Sequence, residues 1–94
     1  MTNDRGERPL HFTVHALTAI GERGIQREWV ARVVSKPEWT EPDAIQTEVQ
    51  LAFGRIPEAH GRILRVVYAD SEGERRIITA FFDRTKGRKT GGGA

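Results

Sequence analysis

The chain contains no cysteine, which removes disulfides, thiolate nucleophiles and cysteine-ligated metals together. No apolar run approaches the ~20 residues that a membrane-crossing helix needs. The polar, mixed-charge opening MTNDRGERP lacks the apolar segment of a secretory leader. A cytoplasmic protein that does not enter a membrane is expected on those grounds. There is no Walker loop, dinucleotide fingerprint, nucleophile elbow or paired-carboxylate motif. The run Gly91–Gly93 is not a phosphate loop, because no strand and helix flank it. What is left is 94 residues, room for one domain with one modest core, since a chain of this size buries roughly 60–65% of its unfolded surface.

Charge is scarce in sum and uneven in place. Lys and Arg number 15 against 13 Asp and Glu, a formal +2. Arg84, Lys86, Arg88 and Lys89 are the only charged residues from 84 onward, and without them the rest of the chain stands at −2. Residues 85–94 offer nothing to pack before the final alanine, so they read as a disordered, basic, Gly-rich tail. Such a tail either holds phosphate through counterion release or is merely a solvated terminus. Residues 1–9 read as a flexible arm. The folded domain is therefore expected over 10–84.

Periodicity supplies the elements. LHFTV (10–14) alternates as a half-buried strand does, with Leu10, Phe12 and Val14 toward the core and His11 and Thr13 on the other face. Ala16, Leu17 and Ile20 then suit a short helix, with Thr13 as its N-cap, Gly24 as its left-handed stop and Ile25 folding back on it. Ile25, Trp29, Val30, Val33 and Val34 draw one apolar stripe on a second helix that Lys36-Pro37 must end. Its cap position, Gln26, is weak, and Glu28 and Arg32 are spaced for an i, i+4 ion pair. The proline- and acid-rich stretch 37–48 reads as a loop. Three strands follow: Gln50–Ile56 with a bulge expected at Gly54, Arg62–Ala69, and Arg75–Asp83. The last two are joined into a hairpin by Asp70-Ser71-Glu72-Gly73.

The expected fold is α+β, in the order β-α-α-β-β-β, an antiparallel sheet with two helices packed on one face. The opposite face is then a polar groove lined by His11, Thr13, Arg65 and Thr79. Arg65 stands out because it interrupts an otherwise apolar strand between Leu64 and Val66.

HFTVHAL, ERGI and WVARVVSKP are similar to the opening of the domain of unknown function 4258 family. GRILRVVYADSEGERRIITAFF is similar to that family's closing hairpin, so the resemblance spans about residues 10–83. More distantly the layout resembles the BrnT/RelE-like ribonuclease toxins. That resemblance implies a RelE/BrnT-like domain, metal-independent RNA cleavage, and silencing by an antitoxin-like protein partner. The last strand of those toxins ends in Ser-Ala-Arg. Here Thr79-Ala80-Phe81 puts phenylalanine in the arginine's place, and Arg84 lies three residues too late to be equivalent.

Cleavage of RNA without a metal needs a base for the 2′-hydroxyl proton and cations for the phosphorane charge. The catalytic candidates are His15, His11 and Arg65; the RNA-binding candidates are Arg23, Arg55, Arg84 and Lys86. Plainer alternatives exist: His15 can fill a helix–sheet corner, and Arg23 can satisfy the last carbonyls of its helix. Arg75-Arg76, outside the candidates, reads as a solvated hairpin shoulder. No cofactor and no metal are expected: His11 and His15 form an H-x3-H pair, but across a strand-to-helix junction and with no third ligand beyond His60 in a loop. Trp39 either caps the core edge or marks a partner surface. The rival to an RNA-directed toxin is a non-enzymatic protein-interaction module on the same scaffold. A free sheet edge would suit a partner's strand or a second copy of the chain in a homodimer.

Overall fold

The computed structural model describes residues 9–71 and 73–85. The arm expected over 1–9 and the tail over 85–94, Lys86 included, fall outside these residues apart from Pro9 and Thr85, as does Glu72 of the expected turn. Strand β1 (Leu10–Phe12) is followed by helices α1 (Val14–Arg23) and α2 (Arg27–Ser35), then by strands β2 (Trp39–Pro42), β3 (Val49–Ile56), β4 (Arg62–Ser71) and β5 (Glu74–Phe82). The strands form one five-stranded sheet in the order β1-β5-β4-β3-β2. The α+β class and the two helices on one face are as expected. The sheet, however, is mixed, because β1 runs parallel to β5.

Thr13 explains the direction of β1, on which an alternating pattern is silent. Its backbone N–H and its hydroxyl both donate to the Ile77 carbonyl, at 3.2 and 3.0 Å, while its hydroxyl oxygen accepts the Ala16 N–H at 3.1 Å. One residue thus ends β1, caps α1 and ties both to β5. Helix α1 stops where expected: Gly24 sits at φ 67°, and the Ile25 N–H reaches the Ile20 carbonyl at 2.9 Å. Because the helix starts at Val14, that side chain does not continue the strand's inward set and is 80% exposed.

The second strand is a correction to the loop expected over 37–48. Trp39 pairs with Phe53 and Pro42 with Gln50, and a proline is tolerated there because β2 is an edge strand. The bulge is also displaced. Val67 faces Thr79 and Tyr68 faces Ile77, which leaves Ile78 as the extra residue and turns both Ile77 and Ala80 toward the helices. Gly54 sits in uninterrupted pairing; a Cβ there would lie 3.2 Å from Val33 Cγ2. Its role is to let α2 lie close on β3.

The main core joins Ala16 and Ile20 of α1 and Ile25, Val30, Val33 and Val34 around α2 to Ala52, Leu64, Val66, Tyr68 and Ile77 of the sheet. Gln26 makes no side-chain cap, as its residue type predicts. Arg32 does not turn to Glu28 but forks onto Glu58, at 2.9 and 2.8 Å. The guanidinium holds the Glu58 carboxyl down to about 2. That pair fastens α2 to the short 3-10 turn Pro57–Ala59.

Candidate functional site

The sheet face away from the helices is not the polar groove that alternation suggested. It carries a second apolar cluster of Leu51, Phe53 and Ile63, flanked by Trp39 and Val67. Across it runs one cross-strand row, Trp39–Phe53–Arg65–Phe81, each residue the register partner of the next. Trp39 stacks on Phe53 with centroids 4.8 Å apart and planes within 5°, and its indole N–H donates to Glu41 at 3.1 Å. The Arg65 guanidinium carbon lies 5.5 Å from the Phe53 ring centre and 5.3 Å from that of Phe81. Its Nη1 donates to Asp83 at 3.2 Å. Its Nε is buried with no acceptor within reach among the described residues.

A charge held in this way costs stability. Arg65 lies between the rings of Phe53 and Phe81, and an apolar residue there would avoid both the desolvation of the cation and the orphaned N–H. Arg65 also pulls the Asp43 carboxyl down, after the larger effect of the Gln46 and Ile45 N–H groups that donate to it. A guanidinium retained on an apolar face at such a cost marks a site.

The site continues at the end of the sheet. Past Ile56 the chain makes its 3-10 turn, and His60 takes the left-handed conformation at φ 63°, the sole non-glycine residue with positive φ among those described. The His60 N–H donates to Pro57 at 3.1 Å and the Gly61 N–H to Ile56 at 2.9 Å. Arg62 Nε donates to the Ala59 carbonyl at 3.0 Å, and its guanidinium lies over the Phe82 ring at 4.1 Å. Asp83 is anchored by its own N–H on Ile63, at 2.8 Å. These residues and Arg84 line a cleft of about 280 Å³. A more open groove of about 530 Å³ adjoins it, lined by Arg65, Phe81 and Thr85 and sharing Phe82, Asp83 and Arg84 with the first. An imidazole, three guanidiniums and a largely buried carboxylate therefore surround one composite groove.

Of the residues singled out from sequence, Arg65 and Arg84 meet here. His11 does not join them: it pairs with Arg76, five residues down β5 from Phe81, or roughly 17 Å along a strand. His15 is exposed in the first turn of α1, in the helix layer, with the sheet between it and Arg65. Thr13 is consumed by the cap, and Thr79 faces Val67 one row along. Arg23 is exposed in the last turn of α1. Arg55 is engaged by Glu38, which accepts its guanidinium at 3.1 Å and its backbone N–H at 2.9 Å. Lys86 lies outside the described residues. Arg75 is not a solvated shoulder: its side chain is 13% exposed, forks onto Asp70, lies over Tyr68 and donates to the Val34 carbonyl. The Asp70 carboxylate raises its pKa further.

Neither His60 nor Asp83 is among the site candidates read from the sequence. Each had a signal: a histidine beside Gly61 after a proline turn, and an acid closing an aromatic strand. Among the described residues no three His, Asp or Glu side chains converge as a metal site requires, and no helix is long and apolar enough to cross a membrane.

Fold and site together define a small α+β domain with a guanidinium–aromatic groove at one end of its sheet. The chain belongs to the family described as Domain of unknown function (DUF4258), which matches residues 12–82. No curated protein and no solved structure matches it.

Proposed function

We propose that this domain engages RNA at the composite groove and acts there as a metal-independent endoribonuclease of toxin type. The observation that carries the reading is the convergence of His60, Arg62 and Arg84 on one cleft, with Arg65 in the adjoining groove. His60 takes the proton of the 2′-hydroxyl as that oxygen bonds to the adjacent phosphorus. The bond from phosphorus to the 5′ oxygen breaks, the leaving oxygen takes a proton from water, and the hydroxide so formed takes up the proton that His60 accepted. The products are a 2′,3′-cyclic phosphate and a 5′-hydroxyl. Arg84 and Arg62 hold the non-bridging oxygens, whose charge grows in the transition state.

The likeness to BrnT/RelE-like toxins supports the same end of the sheet. Phe81 stands where those proteins carry an arginine, and Arg65, its register partner on β4, is the residue we propose takes over that charge. An antitoxin-like protein that covers the groove is the partner this reading requires, and the cytoplasm is its place of action. No cofactor takes part. The test is incubation of the purified chain with end-labelled RNA in excess chelator. Wild type is expected to yield cyclic-phosphate ends, and His60→Ala and Arg84→Ala are expected not to. Cleavage unchanged in both variants, or absent in wild type, overturns the catalytic reading.

A second reading, the protein-interaction module, has one observation of its own. Ile45 is 85% exposed in the connection from β2 to β3, where Asp43 accepts the Ile45 and Gln46 N–H groups at 3.0 and 2.9 Å. An apolar knob on a braced turn beside the edge strand β2 suits a partner protein or a second copy. Ile45→Glu is expected to abolish such an association and to leave RNA binding intact.

A further inference from the structure

The groove beside Phe81 has chemistry that holding a phosphate does not use. Phe81 is half-buried on the open face, the outermost ring of the row Trp39–Phe53–Arg65–Phe81. Phe53 is fully buried beneath Trp39 and Arg65 and is closed to any ligand. Phe81 is different: it lines the 530 Å³ groove with Arg65 and Arg84. A phenyl ring with one guanidinium over it, 5.3 Å from its centre, in a groove that Arg84 also lines, offers a flat apolar surface in cationic surroundings.

Simple packing does not account for it. On the helix side Phe82 packs against the main core, with Trp29 6.4 Å away and Arg62 over its ring. Phe81 belongs to neither apolar cluster. Aromatic faces and guanidinium planes in a basic groove are what unpaired bases stack on. A base inside a duplex has both its faces covered.

We infer that Phe81, with Arg65 beside it, is a stacking platform for one unpaired base, so that the ligand class of this groove is single-stranded RNA. The inference rests on the RNA reading of the same groove and adds the base to the phosphate. The strand lies across Asp83, with its phosphate toward His60, Arg62 and Arg84 and its base over Phe81. Stacking on a single ring tolerates any base, so selection for strandedness is expected and selection for sequence is not.

The test is fluorescence anisotropy with three labelled probes: a mixed-sequence single-stranded RNA, the same RNA in a duplex, and an abasic strand of equal length. Proteins are wild type, Phe81→Leu, which keeps apolar bulk, and Phe81→Trp, which keeps an aromatic face. Wild type is expected to favour the natural single strand. Phe81→Leu is expected to bind it about ten-fold more weakly, the effect of losing one base stack, and to bind the abasic strand as wild type does. Phe81→Trp is expected to retain full affinity. Equal losses on natural and abasic strands, or a duplex bound as tightly as the single strand, would overturn the stacking inference and leave phosphate binding standing. Failure of wild type to bind any of the three would overturn both.

Discussion

Arg65 and Asp83 allow a prediction that joins stability to function. Their side chains are 28% and 8% exposed, so the carboxylate is the deeper partner. Replacing Arg65 with Met removes one of the partners of Asp83. Removing one partner of a fully buried pair costs about 3–5 kcal/mol, and partial exposure of Arg65 reduces that to about 2–3 kcal/mol. The two cation–ring contacts contribute roughly 0.5–1 kcal/mol each, and thioether–ring contacts from Met restore a similar amount. Asp83→Asn keeps the shape and leaves Arg65 partly hydrated, at a cost of about 1 kcal/mol. In the double variant the half-buried cation and its orphaned Nε are gone and Met joins Leu51, Phe53 and Ile63, so it is expected to match wild-type stability or exceed it, with a coupling of about 3 kcal/mol. Urea unfolding followed by tryptophan fluorescence measures this, with Trp39 stacked on Phe53 as reporter. Arg65→Met and the double variant are expected to differ by about 2–3 kcal/mol, or roughly 10–20 °C in Tm by a separate thermal melt. A double variant that loses as much as Arg65→Met alone would refute the claim that the pair is retained at a cost to stability. The stable double variant also lacks the guanidinium on the sheet face, and its affinity for single-stranded RNA is expected to fall.

Gly54→Ala stiffens the unfolded chain, a gain of about 0.4–1 kcal/mol, but sets its methyl 3.2 Å from Val33, where overpacking costs about 1–3 kcal/mol. A net loss near 1 kcal/mol in urea unfolding is expected, and a smaller loss on adding Gly54→Ala to a Val33→Ala chain than to wild type. Thr13→Val removes the α1 cap and the hydroxyl bond to Ile77 together, for a loss of about 1–2 kcal/mol by the same assay. The Glu58 carboxyl, held at about 2 by Arg32 when folded, stands near 4.3 when unfolded. Its contribution is therefore fully present above the unfolded value and lost as pH falls through the folded one. The stability difference between wild type and Glu58→Gln is expected to be constant near neutral pH and to vanish toward pH 2.

Much of this fold can be read from residues that act locally. Thr13, Gly24 and Lys36-Pro37 delimit the helices by cap and breaker chemistry, and the stripe from Ile25 to Val34 determines which face of α2 is buried. The elements that escaped depend on distant partners. WTEP becomes a strand because Phe53 lies opposite Trp39, not because of any alternation of its own. The direction of β1 comes from two bonds to Ile77, 64 residues away. The bulge at Ile78 has no glycine to announce it, whereas Gly54, which looked like one, answers to Val33 on another element. For the site, Arg65 was legible as a charge in an apolar strand. His11 and His15 drew attention as a spaced pair, but the turn at Thr13 sends them to different layers. His60 becomes part of a site only when the 3-10 turn brings it beside the end of β5.

The central claim is that RNA is held at the β4–β5 end of the sheet. It is tested most directly by titrating short single-stranded RNA into the isotope-labelled chain and following backbone amide shifts. The account predicts changes concentrated at His60 to Arg65 and Phe81 to Thr85, with β1 and the first turn of α1 unmoved. Changes centred on His11 and His15, or a spectrum that RNA leaves untouched, would contradict it.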